Sequence, residues 1–318
     1  MKIFILGSTG VIGRHLVPLL VSEGHEVTAL VRSSGRIIEA EKMGAKGVAA
    51  EVFNEEELTA VIKKIEPEII IHQLTALAKV TGNFRKFDAE FEMTNRFRTE
   101  VTDTLLKAAE LTGVRRFIAQ SFCGWPFTRE GGLVKTEEDP LDSDPPASFS
   151  RTLNAIKHLE NAVLKSDKVE ALALRYGMFY GPGTAIAKDG AIINLIRNHN
   201  FPIIGDGGGI WSFIHVRDAA GATMKAVSKG EPGIYNIVDD EPAPVSTWLP
   251  YLADVLEVKP PRKIPLWVGS ILLGEAGVSM MTKIRGGSNA KAKHNLGWEP
   301  VYATWRDGFV SGLELNNS

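Results

Sequence analysis

The sequence predicts an α/β fold, a doubly wound parallel sheet joined to a smaller, discontinuous C-terminal lobe. Three observations predict it. Short apolar runs alternate with helix-period stretches through the first half. A glycine-rich turn stands between the first run and the first helical stretch. Glycine and proline clusters then break the alternation after Gly177. The division this predicts is 1–177 for the sheet domain, with a strand returning near 233–238, and 178–318 mostly for the lobe.

Lys2–Gly7 is a short apolar strand. Val11–Ser22 has apolar residues at helical spacing, with a bend expected at Pro18. Glu26–Val31, Lys46–Val52 and Glu68–His72 read as the next strands. Asn54–Ile65 is the helix before the fourth strand, with Asn54 as its cap and Glu57 three residues on. Phe84–Leu111 is a long helical pattern closed by Gly113. Arg115–Gln120, the Ser148–Lys165 helix and Val169–Arg175 continue the alternation, and Gly233–Val238 is the returning strand. The glycine run Gly205–Gly209 is expected to form a hairpin rather than a second phosphate cradle. Ile264–Met281 is apolar apart from Glu275, and its glycines favour a helix packed on the protein over a membrane span.

Composition narrows the function classes. The 318 residues are 44% hydrophobic and 23% charged, which is ordinary globular usage. Lys+Arg total 36 against 38 Asp+Glu, so the overall basic charge of a nucleic-acid binder is absent. The single cysteine, Cys123, excludes an internal disulfide and a four-cysteine zinc site. No His/Cys/Asp cluster has metal-ligand spacing, so no metal is expected. The apolar run at the N-terminus is too short for a signal-peptide core. A cytoplasmic protein acting on a small molecule is expected, with no nucleic-acid or membrane partner.

Gly7-Ser8-Thr9-Gly10-Val11-Ile12-Gly13 follows the first strand and opens the first helix. Glycines there allow a tight turn and close approach of backbone to a pyrophosphate, and the helix N-terminus supplies N–H donors. The segment reads as a dinucleotide-binding loop. At the end of the second strand, a carboxylate would bind the ribose hydroxyl of NAD; Arg32 and Ser33 stand there instead. The fork of Arg32 suits a 2′-phosphate, which favours NADP over NAD.

Further stretches follow in order. They are Glu51-Val52, then Gln73-Leu74-Thr75 after the fourth strand, then Asn95 and Thr99, and Phe117–Ser121. Later come Thr136–Pro140, Leu174–Gly183 with Tyr176 and Met178, Trp211–Asp218 and Tyr235–Ile237. Together with the glycine loop they resemble the extended short-chain dehydrogenase/reductase superfamily, within its NAD-dependent epimerase/dehydratase group. The resemblance implies a Rossmann-type domain and an NAD(P)-dependent oxidoreductase or epimerase/dehydratase. Its substrate would be a nucleotide sugar or another small carbonyl or alcohol metabolite. It places Glu51-Val52 beside the adenine and Gln73-Leu74-Thr75, Asn95, Tyr176 and Met178 near the cofactor. It also suggests a homodimer built on the two long helices.

The same resemblance implies a tyrosine that passes a proton, a lysine four residues on that binds the nicotinamide ribose, and a serine on the reacting oxygen. Ser121 fits the serine, although a one-residue shift puts Phe122 there. Lys157 fits the lysine. Leu153 stands where the tyrosine belongs, and no tyrosine lies between Ser121 and Tyr176. Three readings follow. A substitute acid acts, drawn from Ser121, Cys123, Tyr176 and Tyr180, with Asn154 and Ser150 on the Lys157 face to bind the oxygen or a water. Alternatively, the protein binds NADP(H) without turnover, as a sensor or scaffold. In the third, the reaction needs no such acid. The expected catalytic set is Ser121, Lys157 and Tyr176. The acidic loop Gly124–Pro146 reads as a lid or a solvated connector, with Trp125-Pro126 at the pocket rim. Lys283, Arg285, Lys291 and Lys293 either contact an acidic substrate or form a solvated face.

Overall fold

The computed structural model describes residues 1–77 and 82–314, without the Ser34 side chain. Its centre is a seven-stranded sheet. The strands are β1 (Lys2–Leu6), β2 (Glu26–Val31), β3 (Lys46–Ala49), β4 (Ile69–His72), β5 (Arg116–Phe122), β6 (Glu170–Tyr176) and β7 (Gly233–Ile237). They lie in the order β7-β6-β5-β4-β1-β2-β3, all parallel. Strands covered on both faces read as continuous apolar runs, and Ile3, Phe4, Ile5 and Leu6 are all fully buried. The chain runs outward from β1 to β2 and β3, then crosses back to β4. The order thus reverses between β1 and β4, and the glycine loop leaves the sheet there.

Helices Gly13–Ser22 and Val216–Ala226 cover one face, over a core that includes Ile5, Leu16, Ile118 and Tyr176. Helices Glu55–Ile65, Thr102–Thr112 and Ser150–Lys165 cover the other. A third core, built on Trp211, Phe213, Trp248 and Trp305, fills the lobe. The Ser150–Lys165 helix belongs to two of these cores. Leu159 and Val163 face the sheet, whereas Leu153 and Ile156 join the lobe. This double membership fixes the helix between the two halves.

Most expected elements fold near their expected bounds. Asn54 caps its helix, its Oδ1 accepting from Glu57 N at 3.1 Å. Pro18 lies inside the first helix without ending it. Two expectations are corrected. The long helix expected over Phe84–Leu111 is divided into Phe87–Glu90, Glu92–Arg96, a π-helical turn at Phe97–Val101, and Thr102–Thr112. The Phe97 carbonyl accepts the Thr102 backbone N–H and also receives His72 Nε2 at 3.1 Å and Thr102 Oγ1 at 3.3 Å. The expected hairpin at Gly205–Gly209 is a turn between unpaired neighbours. Ile203–Ile204 pairs with Lys263–Ile264, and Ile210–Trp211 with Ala243–Pro244. Among the described residues no helix is long and apolar enough to cross a membrane. The apolar segment forms the Leu266–Thr282 helix, broken at Gly274, where φ is 71°.

Candidate active site

The glycine loop is as tight as its spacing requires. Gly7 has φ +89°, and a Cβ there would lie 2.6 Å from the Gln73 carbonyl oxygen. A Cβ at Gly13 would lie 2.3 Å from the Gly7 carbonyl oxygen. Gly10 N donates to Gly7 O at 3.0 Å, and the helix starts at Gly13. The loop therefore curls over the N-terminus of the helix with no side chain on its inner surface. Ser8 is buried, and its Oγ has no protein partner. These residues fit a dinucleotide diphosphate. Gly7 to Gly13 would hold it, with Val11 and Ile12 just ahead of the first helical turn.

Positive charge gathers beside this loop. Arg32 and Ser33 are exposed at the end of β2. Arg36, which the sequence reading passed over, donates Nη1 to Thr9 Oγ1 at 3.2 Å. Arg14 donates Nε to Thr9 O at 2.9 Å and Nη2 to Glu39 at 2.6 Å, and Glu39 also meets Arg36 at 3.4 Å. Arg14 and Arg36 thus both reach Thr9, and Arg32 is exposed at the end of β2. Glu51 is exposed in a depression shared with Phe53 and Asn54. The Arg96 guanidinium lies 4.0 Å over the Phe53 ring.

Gln73 is buried and donates Nε2 to Tyr176 Oη at 2.9 Å. Tyr176 Oη also meets Thr223 Oγ1 at 2.6 Å, and burial pushes the phenol up to about 12. Tyr176 lies in the core under the first helix. The expected catalytic role of Tyr176 is therefore corrected: its hydroxyl is already committed and shielded. Gln73 and Tyr176 brace the cradle floor from below, while Leu74, Thr75 and Met178 are half-buried.

The other expected catalytic groups are also spoken for. Ser121 is buried, and its Oγ donates to Glu160 Oε1 at 2.7 Å. Glu160 in turn takes Nε and Nη2 of Arg175, both at 2.7 Å. Ser121 is thus part of a buried ion-pair network, which corrects its assignment to a reacting oxygen. Lys157 is half-buried and donates Nζ to the Asp142 carbonyl at 2.7 Å. Asp142 also meets Arg129 Nε at 2.8 Å, and Val134–Lys135 pairs with Gly286–Gly287. The Gly124–Pro146 segment is therefore tied down at several points. Cys123 is buried against Gly287, and burial pushes its thiol up. Tyr180 is fully buried against Gly308. Asn154 is exposed and Ser150 half-buried. Lys291 lies 4.8 Å over the Tyr235 ring and Lys293 pairs with Asp240 at 2.8 Å, so these two of the four basic residues are engaged within the chain.

Asp88 determines where the central helix begins. Its carboxylate accepts from Arg151 N at 2.9 Å, Thr152 N at 2.8 Å and Thr152 Oγ1 at 2.7 Å. Asn95 donates Nδ2 to the same Thr152 hydroxyl at 3.0 Å. Asn95 thus acts through the helix start. Just ahead of that start, the Phe149 ring lies 4.8 Å from Trp125 and 4.3 Å from Phe87. Trp125 lies 6.4 Å from Phe122, the last residue of β5. Leu153, one turn along the helix, joins this cluster. Trp125 is thus buried in an aromatic wall rather than standing at a rim.

The chain matches the NAD dependent epimerase/dehydratase family over residues 3–238. It belongs to that family. The extended short-chain dehydrogenase/reductase fold and an NAD(P)-dependent catalytic ancestry come with it. A protein from a Streptomyces species, 3-diazoavenalumate denitrifying reductase, is 38% identical over 97% of this chain and 99% of its own. A ketoreductase of Stigmatella aurantiaca, acting on a farnesylated dihydroquinoline oxide, is 26% identical over 81% of this chain and 74% of its own. UDP-glucose 4-epimerase of Thermotoga maritima superposes with a TM-score of 0.75 at 22% identity, covering 99% of this chain and 98% of that one. Likeness at that identity concerns the fold alone.

Proposed function

We propose that this family member is an NADP(H)-preferring reductase of a small conjugated metabolite, with reductive loss of a diazo group as its leading reaction. The observation that carries the reading is the arginine group around Thr9, set beside an intact glycine cradle. The near full-length similarity to a diazo-acting reductase supports the reaction type. A bound reduced dinucleotide would supply a hydride at the end of β5 and β6. The protein's part is to hold the diphosphate with the Gly7–Gly13 loop and the 2′-phosphate with Arg14, Arg32 and Arg36. The aromatic wall excludes water from the reacting face.

The test mixes the purified chain with NADPH or NADH and a panel of diazo and carbonyl compounds. The reading expects NADPH oxidation with the diazo compounds, and dinitrogen released in step. A second reading, a dinucleotide-binding sensor without turnover, draws on the commitment of Ser121, Lys157 and Tyr176 to structural bonds. It expects tight NADPH binding and no oxidation with any compound.

A further inference from the structure

We infer that Phe149 and Leu153 occupy the positions of the family's tyrosine and lysine, and that the site therefore takes a planar, conjugated electrophile reduced without a proton from the protein. This deepens the reductase reading and rests on it.

The register is set at the start of the helix. Asp88 fixes the first turn at Ser150 through two backbone N–H groups and the Thr152 hydroxyl. A proton donor and its lysine, four residues apart, must look toward the end of β5 to meet a substrate there. Phe149 and Leu153 have that spacing; the Phe149 ring meets Trp125, three residues beyond β5, and Leu153 belongs to the same buried cluster. Lys157 lies a further turn along, with its ammonium on Asp142 O at 2.7 Å. Phenylalanine keeps the ring of a tyrosine and lacks its hydroxyl. Leucine keeps bulk and lacks an ammonium. The serine position is altered in the same sense, since Phe122 closes β5 while Ser121 turns inward to Glu160. Three polar positions are thus apolar together.

What replaces them is a binding surface. Phe87, Phe149 and Trp125 are buried, whereas Phe91, Phe122 and Met178 are half-buried and keep open faces. Phe91 stacks on Phe87 at 4.2 Å. Aromatic faces of this kind accept flat, electron-poor or cationic rings. A carbonyl is a poor match. Its reduction builds an alkoxide that wants a proton, and a positioned acid contributes roughly 10²–10⁴ in rate.

A diazonium group has no such need. Hydride addition to its terminal nitrogen forms an N–H bond and neutralises the cation, giving an aryl diazene. The C–N bond then breaks with its electron pair kept by carbon. The N–H pair passes into dinitrogen, and the nitrogen's proton goes to that carbon. The reduced dinucleotide is oxidised by two electrons, and no net proton is drawn from the protein.

The experiment uses the full chain with NADPH and two probes of matched ring, 4-nitrobenzenediazonium and 4-nitrobenzaldehyde, with enzyme-free rates subtracted. Single-turnover NADPH oxidation is followed between pH 6 and pH 8. Binding of 4-nitrobenzoate to the NADP⁺-loaded chain is measured by calorimetry. The inference expects diazonium reduction at least 100-fold faster than aldehyde reduction, with less than twofold change across that range. It expects Phe149→Tyr/Leu153→Lys to raise aldehyde reduction at least tenfold, and Trp125→Ala to weaken nitrobenzoate at least tenfold. Aldehyde reduction as fast as diazonium reduction, or loss of diazonium turnover in Ser150→Ala, would overturn the inference and leave the reductase reading standing. Ring binding with no turnover of either probe would overturn the reductase reading itself.

Discussion

His72 is neutral because both ring nitrogens are committed: Nε2 donates to Phe97 O at 3.1 Å and Nδ1 accepts from Leu74 N at 3.4 Å. Burial lowers its pKa from 6.5 to about 4. The unfolded chain therefore binds a proton below pH 6.5 that the folded chain refuses. The stability this gives is complete above that pH and drains away as pH falls toward 4, on the order of 3 kcal/mol for a shift of this size. Thermal melts should show that acid loss, and His72→Gln should flatten it while lowering stability at neutral pH. A slope unchanged by the substitution would contradict the assignment. Arg36 makes a second residue-scale prediction. Its Nη1 contact to Thr9 ties it to the cradle, so Arg36→Ala should weaken NADP⁺ about tenfold while NAD⁺ changes little, by equilibrium titration. Arg32 offers itself as a candidate in the sequence because it follows β2 directly. Arg36 was not, because its nearness to Thr9 exists only once the loop after β2 folds back on the glycine turn.

At the scale of elements, the central helix depends on a cap supplied from far along the chain. Asp88 accepts three hydrogen bonds at the start of the Ser150–Lys165 helix, two of them from backbone. Asp88→Ala should cost about 2 kcal/mol in urea unfolding, because orphan N–H groups and a buried hydroxyl lose a charged partner. Asp88→Asn should recover part of it. A loss below ~0.5 kcal/mol would mean the helix start is set elsewhere. This cap explains why the catalytic register was hard to read. A local sequence pattern sees Lys157 and counts back four to Leu153. The actual first turn is defined by a carboxylate that lies more than sixty residues earlier, and it brings Phe149 to the front. The glycine loop was legible for the opposite reason. All its constraints are local: close approach at Gly7 and Gly13, a strand before it and a helix after it.

At the scale of the molecule, the helix shared between two cores couples the dinucleotide half to the lobe. The sheet was legible because its strands are buried on both faces and their apolar runs are continuous. The lobe was legible only as irregular, since its strands are two or three residues long and its order comes from packing around Trp211, Trp248 and Trp305. Beneath the site, Glu160 joins Arg175 and Ser121 in a buried network. Breaking such a pair leaves a charge without its partner, so Glu160→Leu should destabilise the chain by about 3–5 kcal/mol. NADP⁺ binding in the fraction that stays folded should persist, because none of the three residues belongs to the Gly7–Gly13 loop or the helix it opens.

The central claim is reduction that consumes NADPH and expels dinitrogen. It is tested most directly by following NADPH absorbance and dinitrogen release together, by inlet mass spectrometry, with an aryl diazo substrate. The account predicts one dinitrogen for each NADPH oxidised, dependent on the protein and faster with NADPH than with NADH. Tight NADPH binding with neither oxidation nor dinitrogen release would contradict it.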